Sequence, residues 1–251
     1  MQEFVRRNIK VMVVDAPEEV GRQTARLTAE VIKTHDSPTL GMCTGGTAVP
    51  IYRELIGRWS ERQFSFQSVT TFNLDEYYPV HPKEPFSYQH FMRDELFRHV
   101  DIPTAHVHFP NALTHDPEEA CGIYEDLIRK RGGMDLILLG IGSNAHIGFN
   151  EPGTPRDSRT RRVTLDESTR QANARFFAAL EEVPQHALTM GIATIMDARK
   201  VVLSAYGANK VEAIENTLTK DPSAEVPASF LQEHPDCTFV LDREAAASVL
   251  E

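Results

Sequence analysis

Six short apolar runs, separated by stretches of helical periodicity, constrain this 251-residue chain more than any other feature in it. They are VMVV at 11–14, TLGMC at 39–43, SVTTFNL at 68–74, DLILLGI at 135–141, KVVLSAY at 200–206 and CTFVL at 237–241. Runs this short, rich in Val, Ile and Leu and without strict alternation, suit strands buried on both faces, as parallel strands between helices are. Helical patterns lie between them, near 17–33, 48–59, 87–99, 116–131, 167–180 and 209–219. The rhythm is βαβ, which predicts an α/β fold with a mainly parallel sheet and helices on its faces. No internal repeat, low-complexity tract or Gly/Ser linker breaks it, so residues 1–251 are expected to form a single domain.

Composition narrows the functional classes. With 36 Asp+Glu against 26 Lys+Arg the formal charge is −10, which argues against nucleic acid as the default partner. Cys43, Cys121 and Cys237 are odd in number, far apart and without a CxxC pair, so a reduced, cytoplasmic chain without structural zinc is expected. The apolar stretch Val11–Val14 stops at Asp15, too short for a signal peptide, and no run approaches the roughly 18 residues of a membrane span.

Chemistry is expected in four loops that follow strands. Thr44-Gly45-Gly46-Thr47 precedes a helix with Pro50 in its first turn. Glycines let backbone approach a ligand and a helix N-terminus offers free N–H groups to a phosphate, although an ordinary tight turn with Thr47 as N-cap reads the same way. Gly207-Ala208-Asn209-Lys210 repeats the arrangement, with Asn209 as the expected N-cap and Glu212 completing a capping box. A lysine in a first turn opposes the helix dipole unless an anion lies beside it. Gly140, Gly142 and Ala145 formally fit GxGxxG/A, but Gly148, Pro152, Gly153 and Pro155 rule out the helix that a dinucleotide would need. That loop instead presents Asn144, His146 and Glu151, an acid/base group with orienting partners or a histidine bonded for structure. In Phe72-Asn73-Leu74-Asp75-Glu76-Tyr77-Tyr78 the adjacent carboxylates must point to opposite sides, so one at most faces a pocket. His81, His106 and His108 read as loop histidines, since no Cys or carboxylate is placed to complete a metal site with them.

Taken in order, CTGGT, FNLDEYY, GIGSNAHIGFNEPG, ANARFF and GANK resemble the landmarks of the glucosamine-6-phosphate deaminase (isomerase) family over about residues 10–242. The resemblance implies a Rossmann-like three-layer α/β/α sandwich. It also implies a reaction without metal or organic cofactor: a 2-amino-2-deoxyhexose 6-phosphate opens, its C2 proton moves to C1, and the imine is hydrolysed to fructose 6-phosphate and ammonia. By motif, Asp75 would abstract the C2 proton. His146 would handle the ring-oxygen proton, with Asn144 and Glu151 orienting it. Thr44, Gly45, Gly46, Thr47, Arg175 and Lys210 would hold the phosphate.

The chain departs from that pattern at three places. Asn144-Ala145 replaces the usual Asp-Gly before the histidine, and an asparagine oxygen accepting from the imidazole would cost about 1–2 kcal/mol relative to a charged partner. This asparagine and Pro227-Ala-Ser-Phe-Leu are similar to the galactosamine-6-phosphate branch, which leaves both epimers open. Glu84 stands where many members carry a histidine. The segment Glu151–Pro155, Val163 and the end at Glu251 do not match the allosteric surface of hexameric members, so no activation by N-acetylglucosamine 6-phosphate is expected and a homo-oligomer remains one of the open states. A 6-phosphogluconolactonase-like hydrolase and a non-catalytic sugar-phosphate binder are the competing readings. FNLDEYY and the Asn144–Glu151 group count against the hydrolase, and the roughly ten residues before the first expected strand leave no room for a DNA-binding helix pair.

Overall fold

The computed structural model describes residues 1–250 apart from 175, 176 and 178. In chain order the elements are β1 (Gln2–Arg6), β2 (Ile9–Val14), α1 (Pro17–Thr34), β3 (Thr39–Met42), α2 (Ala48–Ser60), β4 (Thr70–Asn73) and β5 (Asp75–Tyr78). There follow α3 (Tyr88–Glu95), β6 (Val107–His108), α4 (Pro117–Lys130), β7 (Leu136–Leu139), β8 (Arg161–Thr164), α5 (Glu167–Asn173) and β9 (His186–Thr189). The chain ends through α6 (Ile192–Met196), β10 (Val201–Ala205), α7 (Val211–Thr219) and β11 (Cys237–Asp242).

The six apolar runs become β2, β3, β4, β7, β10 and β11, all in one sheet of order β1-β2-β11-β10-β7-β3-β4-β6. Every neighbouring pair in it is parallel except β1 with β2, a hairpin whose turn uses the positive φ of Arg7 and Asn8. Helices cover both faces. Phe72, Gly41, Ile137 and Val201 are in register across β4, β3, β7 and β10, and Phe72 packs edge-on against Tyr124 of α4. Ser204 lies an odd number of residues from Val201, hence on the other face, and its hydroxyl meets Thr24 of α1 at 2.7 Å. The three-layer α/β/α arrangement therefore follows from register.

Helix α1 buries Val20, Gly21, Thr24, Leu27, Thr28, Val31 and Ile32, the spacing of one helical face. Gly21 lets it approach α2 closely, because a Cβ there would fall 2.6 Å from Cβ of Pro50. Along the sheet, strands after β3 step outward to β4 and β6, whereas β7 and its successors lie on β3's other side. The switch between β3 and β7 opens a crevice at the carboxyl ends of the strands, where α/β folds bind ligands.

A second, antiparallel sheet of order β5-β9-β8 was not legible in the sequence, and neither were β1, β6 and α6. The chain crosses between the sheets at Leu74, whose N–H donates to Met42 O and whose carbonyl accepts from Met190 N. Expected helix 87–99 stops as an α-helix at Glu95 and continues as a separate 3-10 turn over Phe97–His99, and α5 runs only through Asn173.

Candidate active site

The four sequence loops come out at the carboxyl ends of β3, β4, β7 and β10. After β3, Gly45 takes φ +97° and its carbonyl accepts from Ala48 N, so the chain turns directly into α2 at the carboxyl end of the strand. Thr47 occupies the N-cap position but has helical φ and ψ and makes no side-chain cap, contrary to the sequence expectation. Tyr206, leaving β10, overhangs this turn: its hydroxyl would lie 3.9 Å from a Cβ on Gly46. Lys210 reaches back across β10, and its ammonium donates to the Ile141 carbonyl at 2.7 Å. Asn209 is not the cap expected for the following helix; it lies in a 3-10 turn over Ala208–Lys210, and Lys210 itself precedes α7 without a capping side chain.

Asp75 and Glu76 separate as strand geometry requires. Glu76 turns to α3, accepting Ser87 Oγ and Gln89 N on one oxygen and Tyr77 N and Tyr88 N on the other, at 2.8–2.9 Å. It anchors the start of that helix, and its pKa is raised because burial outweighs these donors. Asp75 is 6% exposed, and no hydrogen bond or ion pair reaches its carboxyl from the described residues. Burial, followed by the charge of Glu76, pushes its pKa up to about 8. Asp75, Thr189 and Arg161 are directly opposed across the second sheet and share a face. On that face lies Gly148, φ +57°, where a Cβ would meet Thr189 Oγ1 at 3.0 Å and Asp75 Oδ2 at 3.5 Å. The positive φ and the tight contact with Thr189 favour glycine at this position, whereas the approach to the carboxylate is ordinary van der Waals contact.

The same loop carries the histidine. Gly142 is required by His146, since a Cβ at 142 would lie 2.3 Å from the imidazole. His146 Nδ1 stands 3.2 Å from Glu151 Oε2. Asn144 behaves otherwise than expected. Its oxygen accepts the His146 backbone N–H at 3.3 Å, and its Nδ2 donates to Glu151 Oε2 at 2.7 Å, so it orients the glutamate and not the ring. Ala145 is held at φ +65°, where a Cβ is strained, with its carbonyl accepting from Ala228 N. Thr169 of α5 donates to Glu151 Oε1 at 2.5 Å. Burial raises the Glu151 pKa, but the nearby imidazole of His146 and the bonds from Thr169 and Asn144 outweigh it and bring it down to about 2. Thus a buried carboxyl that resists ionisation and a glutamate that favours it flank one glycine-lined turn. The turn is secured by Asn150, which donates to Ile147 O and Met190 O and accepts from Arg161 at 2.9 Å.

The structure therefore brings Thr44–Thr47, Lys210, Asp75, Asn144, His146 and Glu151 to one crevice. Arg175 lies outside the described residues. Thr169, Asn150 and Arg161 were missed by sequence reasoning. Thr169 and Arg161 reach the site from α5 and β8, whose positions only the fold fixes, and Asn150 lies in the named loop but its partners come from β8 and the segment after β9. Glu84 lines a separate cavity of about 500 Å³ with Tyr78, His81, Phe86 and His186, none of which is a residue of the crevice. Among the described residues no three His, Cys, Asp or Glu side chains gather as a metal-binding group. His108 stacks instead on Phe72.

A family model described as glucosamine-6-phosphate isomerases/6-phosphogluconolactonase matches residues 14–240. The glucosamine-6-phosphate deaminase of Rhodopirellula baltica is 47% identical over 97% of this chain and 96% of its own length. Glucosamine-6-phosphate deaminase 1 of Bacillus subtilis is 45% identical, covering 95% and 99% respectively. Among solved structures, a monomeric glucosamine-6-phosphate deaminase superposes with TM-score 0.93 at 45% identity, covering 94% of this chain and 98% of that one. A 6-phosphogluconolactonase from Thermotoga maritima, at TM-score 0.73 and 18% identity, covers 92% and 98% and shares the fold.

Proposed function

The chain belongs to the glucosamine-6-phosphate isomerase/6-phosphogluconolactonase family, and on that premise we propose that it is a glucosamine-6-phosphate deaminase, an aldose–ketose isomerising enzyme that releases ammonia. The observation that carries this reading is the buried Asp75 carboxyl, unbonded among the described residues, beside the Glu151–His146 pair. The N-terminus of α2, its Thr44–Thr47 turn and Lys210 supply positive potential for the phosphate, and Arg175 joins them by motif. His146, held by Glu151, protonates or deprotonates the ring oxygen as the pyranose opens. Asp75 then takes the C2 proton and returns it to C1, leaving an imine that water hydrolyses to fructose 6-phosphate and ammonia. A base with a pKa near 8 needs little help to ionise, and the substrate's own ammonium at C2 supplies that help.

This division of labour favours deamination over lactone hydrolysis, whose known enzymes among the structural neighbours share 14–20% identity with this chain. Relatives named for glucosamine make that epimer the first choice. Ammonia release should be assayed separately with glucosamine 6-phosphate and galactosamine 6-phosphate. Turnover of the former is expected to dominate; a preference for the latter reassigns the epimer, and silence with both at millimolar concentration removes the deaminase reading. Because the solved relative at 45% identity is described as monomeric, we also take the enzyme as a single-domain monomer, unresponsive to N-acetylglucosamine 6-phosphate. Three free, buried cysteines and the sugar-phosphate substrate support a cytoplasmic location.

A further inference from the structure

Glu151 is held at both ends of its carboxylate, and the two ends answer to different parts of the molecule. Oε2 faces His146 Nδ1 and accepts from Asn144, both in its own loop. Oε1 accepts from Thr169, which lies 18 residues further on in helix α5. At 9% exposure Glu151 has little access to water, so an Oε1 without its donor would be a buried, undersatisfied acceptor. Such a carboxylate relaxes by rotating away from the imidazole or by binding a proton. Thr169 is itself buried, so its hydroxyl has no solvent alternative.

From this geometry we infer that Thr169 is a positioning residue: its hydroxyl keeps the Glu151 carboxylate aimed at His146, tying the ring-opening pair to helix α5. The groups that face Glu151 among the described residues are His146, Asn144 and Thr169. Arg161, the nearby cation on β8, is engaged with Asn150 and Thr154. Two residues after α5 the sequence reaches Arg175, assigned to the phosphate by motif. The hydroxyl thus joins the element leading to one substrate-binding residue with the carboxylate that poises the histidine.

The test uses Thr169→Val, which keeps the shape and loses the hydroxyl, and Thr169→Ser, which keeps the hydroxyl. The first readout is the titration of Glu151 followed by carboxyl-carbon NMR in the full-length protein, which requires no turnover. In Thr169→Val the midpoint is expected to rise by about one pH unit, the scale of one lost hydrogen bond to a charge, and in Thr169→Ser to return to the wild-type value. The second readout, which rests on the deaminase reading, is the pH profile of ammonia release. Thr169→Val should lower kcat about tenfold near pH 7 with KM little changed, Thr169→Ser should restore it, and the acid limb, which belongs to Asp75, should stay in place. An unmoved Glu151 midpoint in folded Thr169→Val overturns the inference, as does a Thr169→Ser variant that behaves like Val. Wild-type protein without deaminase activity would overturn the functional reading and leave the NMR result to decide this one.

Discussion

Ionising Asp75 in this fold is uphill, and that sets opposite demands on function and stability. Its folded pKa of about 8 lies above the ordinary carboxylate value, so between about pH 4 and 8 the native state holds a proton that the unfolded chain releases. Stability contributed by neutral Asp75 is present at low pH and lost as pH rises through that window. Asp75→Asn should therefore raise Tm by at least about 2–4 °C at pH 8 and much less at pH 4, by calorimetry. Asn144 makes a second case. Replacing it with Asp places a carboxylate where an amide now donates to Glu151 at 2.7 Å. Two carboxylates so close share a proton, so Asn144→Asp should raise the midpoint of the Glu151 titration followed by carboxyl-carbon NMR; an unchanged midpoint would show that the contact is not formed in solution. The divergence of Asp75 and Glu76 was legible from alternation alone. The direction of Asn144 was not, because an amide offers a donor and an acceptor and only the folded loop decides which faces the ring.

At the scale of elements, burial on both faces made β2, β3, β4, β7, β10 and β11 readable, since continuous apolar runs leave a strong local signal. The second sheet gave none. DEYY, RRVT and HALT are short and partly polar, and they pair only because Leu74 carries the chain from one sheet into the other. That crossing is also what delivers Asp75 to the crevice, so the least legible element positions a residue the motif had named. Helix α1 illustrates the reverse, with a clear periodicity and an unforeseen close approach. A Cβ at Gly21 would lie 2.6 Å from Pro50 Cβ and 2.9 Å from its carbonyl carbon, neither of which can move easily. Gly21→Ala gains up to about 1 kcal/mol of helix propensity and loses about 1–3 kcal/mol to overpacking. Net destabilisation is expected as a lower urea midpoint at unchanged slope, whereas a higher midpoint would mean that α1 and α2 separate freely.

For the whole molecule, the charge of −10 does not exclude an anionic substrate, because a small anion is bound by a few local groups and not by the net charge. Residues 156–175 carry six arginines against three acids, but Arg156, Arg159 and Arg170 are engaged with Glu233, Asp197 and Glu167, so this local excess is not a measure of the potential at the site. Net charge read from the sequence could disfavour nucleic acid, yet it is silent on a small anion bound by backbone and a few side chains. The proposed monomer predicts a mass near 28.2 kDa by light scattering at micromolar concentration; a stable multiple of that mass would contradict it. The account stands most directly on one comparison, ammonia released from glucosamine 6-phosphate by the wild-type protein and by Asp75→Asn under identical conditions. Wild-type protein is predicted to form ammonia and fructose 6-phosphate in equal amounts, and the variant to be slower by at least about 100-fold, the scale of a lost general base. Equal rates from the two proteins, or no ammonia from the wild type, would contradict it.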